Sequence, residues 1–193
     1  YDLVQALSSN TSSSNENLTT VTDQFLYSND PSKFVSETLN SNKTYHAIVF
    51  EQEDTLNFLP KMDAEPSGYD YQNHIISGVS DEAKIKLPQA DRIGNTYVEL
   101  LSASIGNGSA NFPQDNDGVI RRAPTAIYFE GADHVYPSLV MSAVIDILGI
   151  KKNGGFDYDF ENKTLNLIDT TNTVVRQIPI DDNGRMYVNY YGQ

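Results

Sequence analysis

The sequence predicts an α/β fold: a mixed sheet with helices packed on it, α/β alternation in the N-terminal part and an antiparallel β-meander in the C-terminal part. Three observations predict it. Helix-start signals and short apolar runs alternate through the first part of the chain. An apolar stretch follows Pro137-Ser138 and stops at Gly149, so both ends of one helix are marked. From Phe156 onward, apolar and polar residues alternate between turns rich in Asn, Asp and Gly, the period of half-buried strands.

Taken in order, residues 2–7 read as the end of a helix, and 8–16 as a Ser/Asn/Thr tract with no core-forming side chain, a mobile loop. Val21, Phe25 and Leu26 among threonines suggest a strand over 18–26. Asp30-Pro31 starts a helix, with Asp as cap and Pro in the first turn, and Phe34, Val35 and Leu39 recur on one face of it. Ala47-Ile48-Val49-Phe50 is a continuous apolar run, expected as a strand buried on both faces. Residues 52–88 hold acidic side chains, Pro60, Pro66, Gly68 and Gly78 without a period, and are expected as a surface excursion, mobile in parts, with a short strand or two. The stretch 96–105 reads as a helix ended by Gly106, Gly108 and Pro113. A long strand is expected over 119–130, interrupted at Pro124, which cannot donate to a ladder. Pro137 then opens a helix whose Leu139, Val140, Ala143, Val144, Ile147 and Leu148 form one stripe. Strands around Phe156–Phe160, Leu165–Leu167, 173–180 and 185–191 complete the meander.

The 193 residues suit a single domain over 1–193. A net charge of −13 repels nucleic acid and anionic membrane surfaces, so neither is an expected partner. With no cysteine there is no disulfide, no thiolate chemistry and no Cys-based zinc site. The Asn-x-Ser/Thr triplets at Asn10, Asn17, Asn42, Asn107 and Asn162 are what an Asn- and Ser-rich chain produces by chance. No apolar run approaches the roughly 20 residues a membrane span needs. The start at Tyr1, without methionine, is expected of a piece of a longer membrane protein.

No catalytic signature stands out, and no cofactor or metal is expected. Asp115-Asn116-Asp117-Gly118 resembles the opening of a calcium loop, but Val119 and Ala126 occupy the next ligand positions, which leaves a glycine turn. His46, His74 and His134 lack metal-binding spacing. Gly106-Asn107-Gly108 lacks the third glycine of a dinucleotide loop. Arg121 and Arg122 are the only adjacent pair among the five arginines. In a strand they point to opposite faces, so one could meet an anionic ligand or pair with an internal carboxylate. Ser138, at the helix start, is the third candidate ligand contact.

Three motifs in this order carry a resemblance. They are Asp115 to Pro124, with Asp115, Asp117, Gly118, Arg121, Arg122 and Pro124; Pro137-Ser138-Leu139; and Ile178 to Gly192, with Pro179, Asp181, Gly184, Asn189, Tyr190 and Gly192. Together they resemble the CHASE sensory domain of the second type, and Thr22-Asp23-Gln24-Phe25 before Asp30 is similar to the family's earlier segment. The family's N-terminal Trp-Pro signature has no counterpart here, because the chain has no tryptophan. The resemblance implies an extracytoplasmic input domain of a bacterial signalling protein, anchored through flanking membrane helices outside this chain. It further implies a cytoplasmic adenylate or guanylate cyclase or a histidine kinase as output, an unknown small-molecule or protein signal, a possible homodimer, and no turnover by the domain itself. The competing reading is a secreted or surface-attached binding or adhesion module.

Overall fold

Proline is pre-organised for the first turn of a helix, and the first described helix begins on one. The computed structural model describes residues 31–51, 63–65, 67–94, 97–115 and 117–189. The readings made for 2–26, for Asp30 as a cap, for 52–62 and for 190–192 lie outside them. In chain order the first elements are α1 (Pro31–Ser41), β1 (Tyr45–Ile48), β2 (Phe50–Glu51) and α2 (Asp81–Lys86). Next come β3 (Gln89–Ala90), β4 (Arg92–Ile93), α3 (Val98–Ala103), β5 (Gly106–Ser109), β6 (Arg122–Pro124) and β7 (Ala126–Phe129). The last are β8 (His134–Pro137), α4 (Leu139–Leu148), β9 (Phe156–Asp159), β10 (Thr164–Ile168), β11 (Val174–Pro179) and β12 (Arg185–Tyr187). The fold is mixed α/β, with its strands in several small sheets.

A three-stranded sheet in the order β3-β7-β8, parallel then antiparallel, divides two hydrophobic clusters. Alternate residues of a strand face opposite ways. Ala126 and Val135 therefore join Met141, Ile145, Phe156, Leu165 and Leu167 on one side. Ile127, Phe129 and Tyr136 join Ile48, Phe50, Tyr71 and Leu101 on the other.

The parallel pair β1–β5 aligns Tyr45 with Gly106 and Ile48 with Ser109. β1 alternates rather than being buried on both faces: Ile48 and Phe50 are buried, whereas Ala47 and Val49 are exposed. One face of the run packs into the cluster that holds Ile48 and Phe50, and the other is left uncovered at Ala47 and Val49. β5 also departs from expectation. Its Gly-Asn-Gly-Ser reads as a helix stop, yet all four residues form a buried strand. Helix α4 comes down on it so closely that a Cβ on Gly108 would stand 2.7 Å from the Ser138 and Leu139 backbone. On the opposite face Asn107 is fully buried and satisfied: its amide donates to the Leu101 carbonyl at 3.1 Å and to the Tyr69 hydroxyl, and its oxygen accepts from Ser104 Oγ at 2.7 Å. Burial pushes the Tyr69 phenol up to about 12.

Three other readings are corrected. The described part of 63–88 is not a surface excursion with strands; it folds into a 3₁₀ turn (Tyr71–His74) and helix α2, and buries Tyr71, Ile76, Val79, Ala83 and Leu87. Ser80 starts α2 by accepting from the Ala83 N–H at 3.2 Å, with Asp81 and Glu82 in the first turn and Lys84 and Lys86 in the last, where the helix dipole favours each sign. Second, α1 packs against α3 and buries Thr38, while Phe34 and Leu39 are each 58% exposed. Third, α4 turns Met141, Ser142 and Ile145 inward, while Val140, Ile147 and Leu148 of the expected stripe face out. Gly106 leaves the room for Ser142: a Cβ there would stand 2.8 Å from its Oγ. Pro137 ends β8, and the helix is started by Ser138, whose hydroxyl accepts from the Met141 N–H.

The long strand expected over 119–130 is two strands. Pro124 closes β6, and the fully buried Thr125 turns the chain while donating from Oγ1 to the Gly184 carbonyl at 2.6 Å. Strands β9, β10 and β11 form the antiparallel meander. The expected fourth strand leaves it: β12 pairs with β6, Met186 opposite Ala123 and Tyr187 opposite Arg122, and touches the meander's end by an Ile180–Met186 bridge.

Candidate functional site

Two glycine-closed turns meet at the β6–β12 pair. In the first, the Gly118 N–H donates to the Asp115 carbonyl at 2.8 Å, the Asp115 N–H to the Val119 carbonyl at 3.0 Å, and the Val119 N–H to Asp117 Oδ1 at 3.2 Å. Gly118 sits at φ +78°, where a side chain is strained. Gly118→Val is accordingly expected to cost about 2 kcal/mol, read as a lower urea midpoint; an unchanged midpoint would contradict a strained turn.

In the second turn, Asp181 is buried and its Oδ1 accepts from the Asn183 and Arg185 N–H groups at 2.9 and 3.0 Å. Gly184 closes it at φ +67° and donates to the Asp181 carbonyl. Burial pushes the Asp181 carboxyl up, but the two backbone donors and the Arg185 guanidinium outweigh it and hold the group below the usual value.

Three arginines converge between the turns. Arg121, half-exposed, grips Asp117 with two hydrogen bonds of 2.8 Å and reaches Asp115 at 3.4 Å. The Arg121 hydrogen bonds, with help from the Val119 N–H, hold the Asp117 carboxyl down to about 2. Arg185 holds Asp181 through Nε and Nη2, both at 2.8 Å. Arg122 lies between them, its Nη1 3.6 Å from Asp181 and 3.8 Å from Asp115, and its guanidinium 5.7 Å from the Tyr187 ring. Arg121 thus meets the exposed Asp117, and Arg122 approaches the buried Asp181, while both stand beside Asp115. An open cleft of about 560 Å³ is lined by Gln114, Asp115, Asp117, Arg121, Arg122 and Arg185.

Ser138 does not belong to this cleft; it is 2% exposed and caps α4. Leu139 begins that helix and Pro179 ends β11, while Asn189 is exposed beyond β12. Tyr190 and Gly192 lie outside the described residues. Asp181 was legible only as a turn residue, because its meeting with Arg122 depends on β12 choosing β6.

The histidines stay apart. His46 meets the Phe34 ring edge-on, and His74 stacks on Tyr69. His134 Nδ1 lies 2.5 Å from Glu65, whose carboxylate also accepts from the Tyr136 hydroxyl. That carboxylate–imidazole pair is two members of a hydrolase triad, but Nε2 of His134 is met by the Gln72 amide at 3.1 Å, where a nucleophile would have to stand. Among the described residues, no group of three or more His, Cys, Asp or Glu could hold a metal, and no helix is long and apolar enough to cross a membrane.

The family model described as "CHASE2 domain" matches residues 2–193. No curated protein and no solved structure matches the chain.

Proposed function

The chain belongs to the CHASE2 family of extracytoplasmic sensory domains, and on that premise we propose that it is the signal-input domain of a bacterial transmembrane protein with a cytoplasmic output enzyme, an adenylate or guanylate cyclase or a histidine kinase. The family match over 2–193 carries this reading. The family is sensory rather than catalytic, and a sensor acts by holding two arrangements of differing stability that a ligand or partner populates unequally. The coupling, the homodimer of the intact receptor and the identity of the signal all belong to this proposal.

The absence of cysteine supplies a clean test of placement. Glu161 is exposed in the β9–β10 turn. Glu161→Cys in the intact parent polypeptide, with any cysteine outside this chain replaced by serine, should react with a membrane-impermeant maleimide added to whole cells, and the same background without Glu161→Cys should not. Labelling only after lysis would sink the extracytoplasmic assignment. Nucleotide cyclase and autophosphorylation assays on the same membranes would then identify the output.

A further inference from the structure

The geometry points to the Arg122–Asp115 cleft as a binding site for a small zwitterion, an α-amino acid or a close analogue carrying its carboxylate and ammonium on one carbon. Arg122 and Arg185 share the same acid, and the contrast between them carries the argument. Arg185 spends its donors on Asp181 at 2.8 Å. Arg122 contacts Asp181 and Asp115 only at 3.6 and 3.8 Å, beyond hydrogen-bond reach, and among the described residues its guanidinium donates no hydrogen bond. Its Nε is sealed from solvent without a partner. A half-buried guanidinium that serves only structure would fill its donors, since unmet ones are costly.

Asp115 has matching spare capacity. Its side chain is 20% exposed and, among the described residues, accepts one long bond, 3.4 Å from Arg121, where an ionised carboxylate has about four acceptor positions. An under-used donor group and an under-used acceptor group thus stand 3.8 Å apart on the wall of one cleft. A carboxylate on the terminal nitrogens of Arg122, with an ammonium on Asp115, would lie antiparallel to that pair and fill the donors and acceptors that face the cleft, the sealed Nε staying out of its reach.

Charge selects the zwitterion over a simple ion. Arg121, Arg122 and Arg185 are balanced locally by Asp115, Asp117 and Asp181, and the chain as a whole carries −13. A free anion finds no net local attraction and a repelling field around it. A molecule with no net charge but two opposite poles is not repelled, and its binding should change little with salt.

The test uses the purified chain and four named probes, glycine, L-glutamine, L-glutamate and L-arginine, with acetate and methylammonium as the separate halves. Calorimetric titration is run at low and physiological salt, alongside ¹⁵N NMR of the Arg122 Nε–H in the unsubstituted protein. At least one amino acid should bind, shift that resonance and show little salt dependence, while each half binds at least about tenfold more weakly. Arg122→Gln and Asp115→Asn should each weaken binding roughly 10- to 100-fold. The NMR arm needs no substitution, so a variant that fails to fold leaves the test intact. No movement of the Arg122 signal with any amino acid, or acetate binding as well as glycine, overturns the proposal. It stands apart from the signalling role: binding without any change in receptor output would count against the proposed function and leave this site in place.

Discussion

Gly108→Val is expected to destabilise the protein by about 3 kcal/mol or more, the largest effect of any single change considered. The cause is backbone meeting backbone. A Cβ at 108 would lie 2.7 Å from the carbonyl group of Ser138 and from the Leu139 nitrogen, atoms that belong to the cap and first residue of α4. A flexible side chain could swing away, but this neighbour cannot. The Ser138 N–H is already held by the Thr125 carbonyl at 2.9 Å, and its hydroxyl by the Met141 N–H. Relief requires lifting α4 off β5, which opens the cluster around Met141 and Ile145. Overpacking in well-packed interiors costs about 1–3 kcal/mol and more where nothing yields. Urea denaturation followed by far-ultraviolet dichroism measures it, and a midpoint like that of the unsubstituted protein would refute the close approach.

Asp181→Asn is expected to cost about 2 kcal/mol, because it removes the one charge that Arg122 and Arg185 share in a mostly buried setting. Asparagine keeps an oxygen for the Asn183 and Arg185 N–H groups, so the loss reports on charge rather than on the turn. The same substitution should alter the acid limb of stability. The folded carboxyl is held below its ordinary 3.8, so its contribution is present in full above that value and is lost as the pH falls through the lower folded one. Between those two values the unsubstituted protein should weaken and the Asn variant should weaken less. Parallel acid limbs for the two proteins would show that Asp181 does not carry this stability.

Sequence patterns made some of this structure legible and hid the rest for identifiable reasons. The meander strands declared themselves because Phe156, Leu165 and Leu167 alternate with polar residues over one covered face. Helix α3 was readable from its apolar content. β5 was not, since Gly-Asn-Gly-Ser has no apolar residue and is buried through its backbone and hydrogen bonds instead. Helix α2 is six residues long, too short for a period to show, although Ser80-Asp81-Glu82 is a cap signal. α4 is apolar nearly all round, so periodicity could not choose its inner face. In the candidate site the two adjacent arginines were legible as a pair, but strand alternation did not place them, because β6 begins only at Arg122. Which acid Arg122 would meet was not legible either, because that is decided by a pairing between distant strands.

The β7–β8 hairpin has a mechanical consequence. Ala126 and Ile127 are neighbours in the chain, yet one packs with Met141 and the other with Phe50. A single ribbon is therefore the common wall of two chambers. Backbone that carries side chains of one chamber thus also carries those of its twin, with neither hinge nor linker between the two.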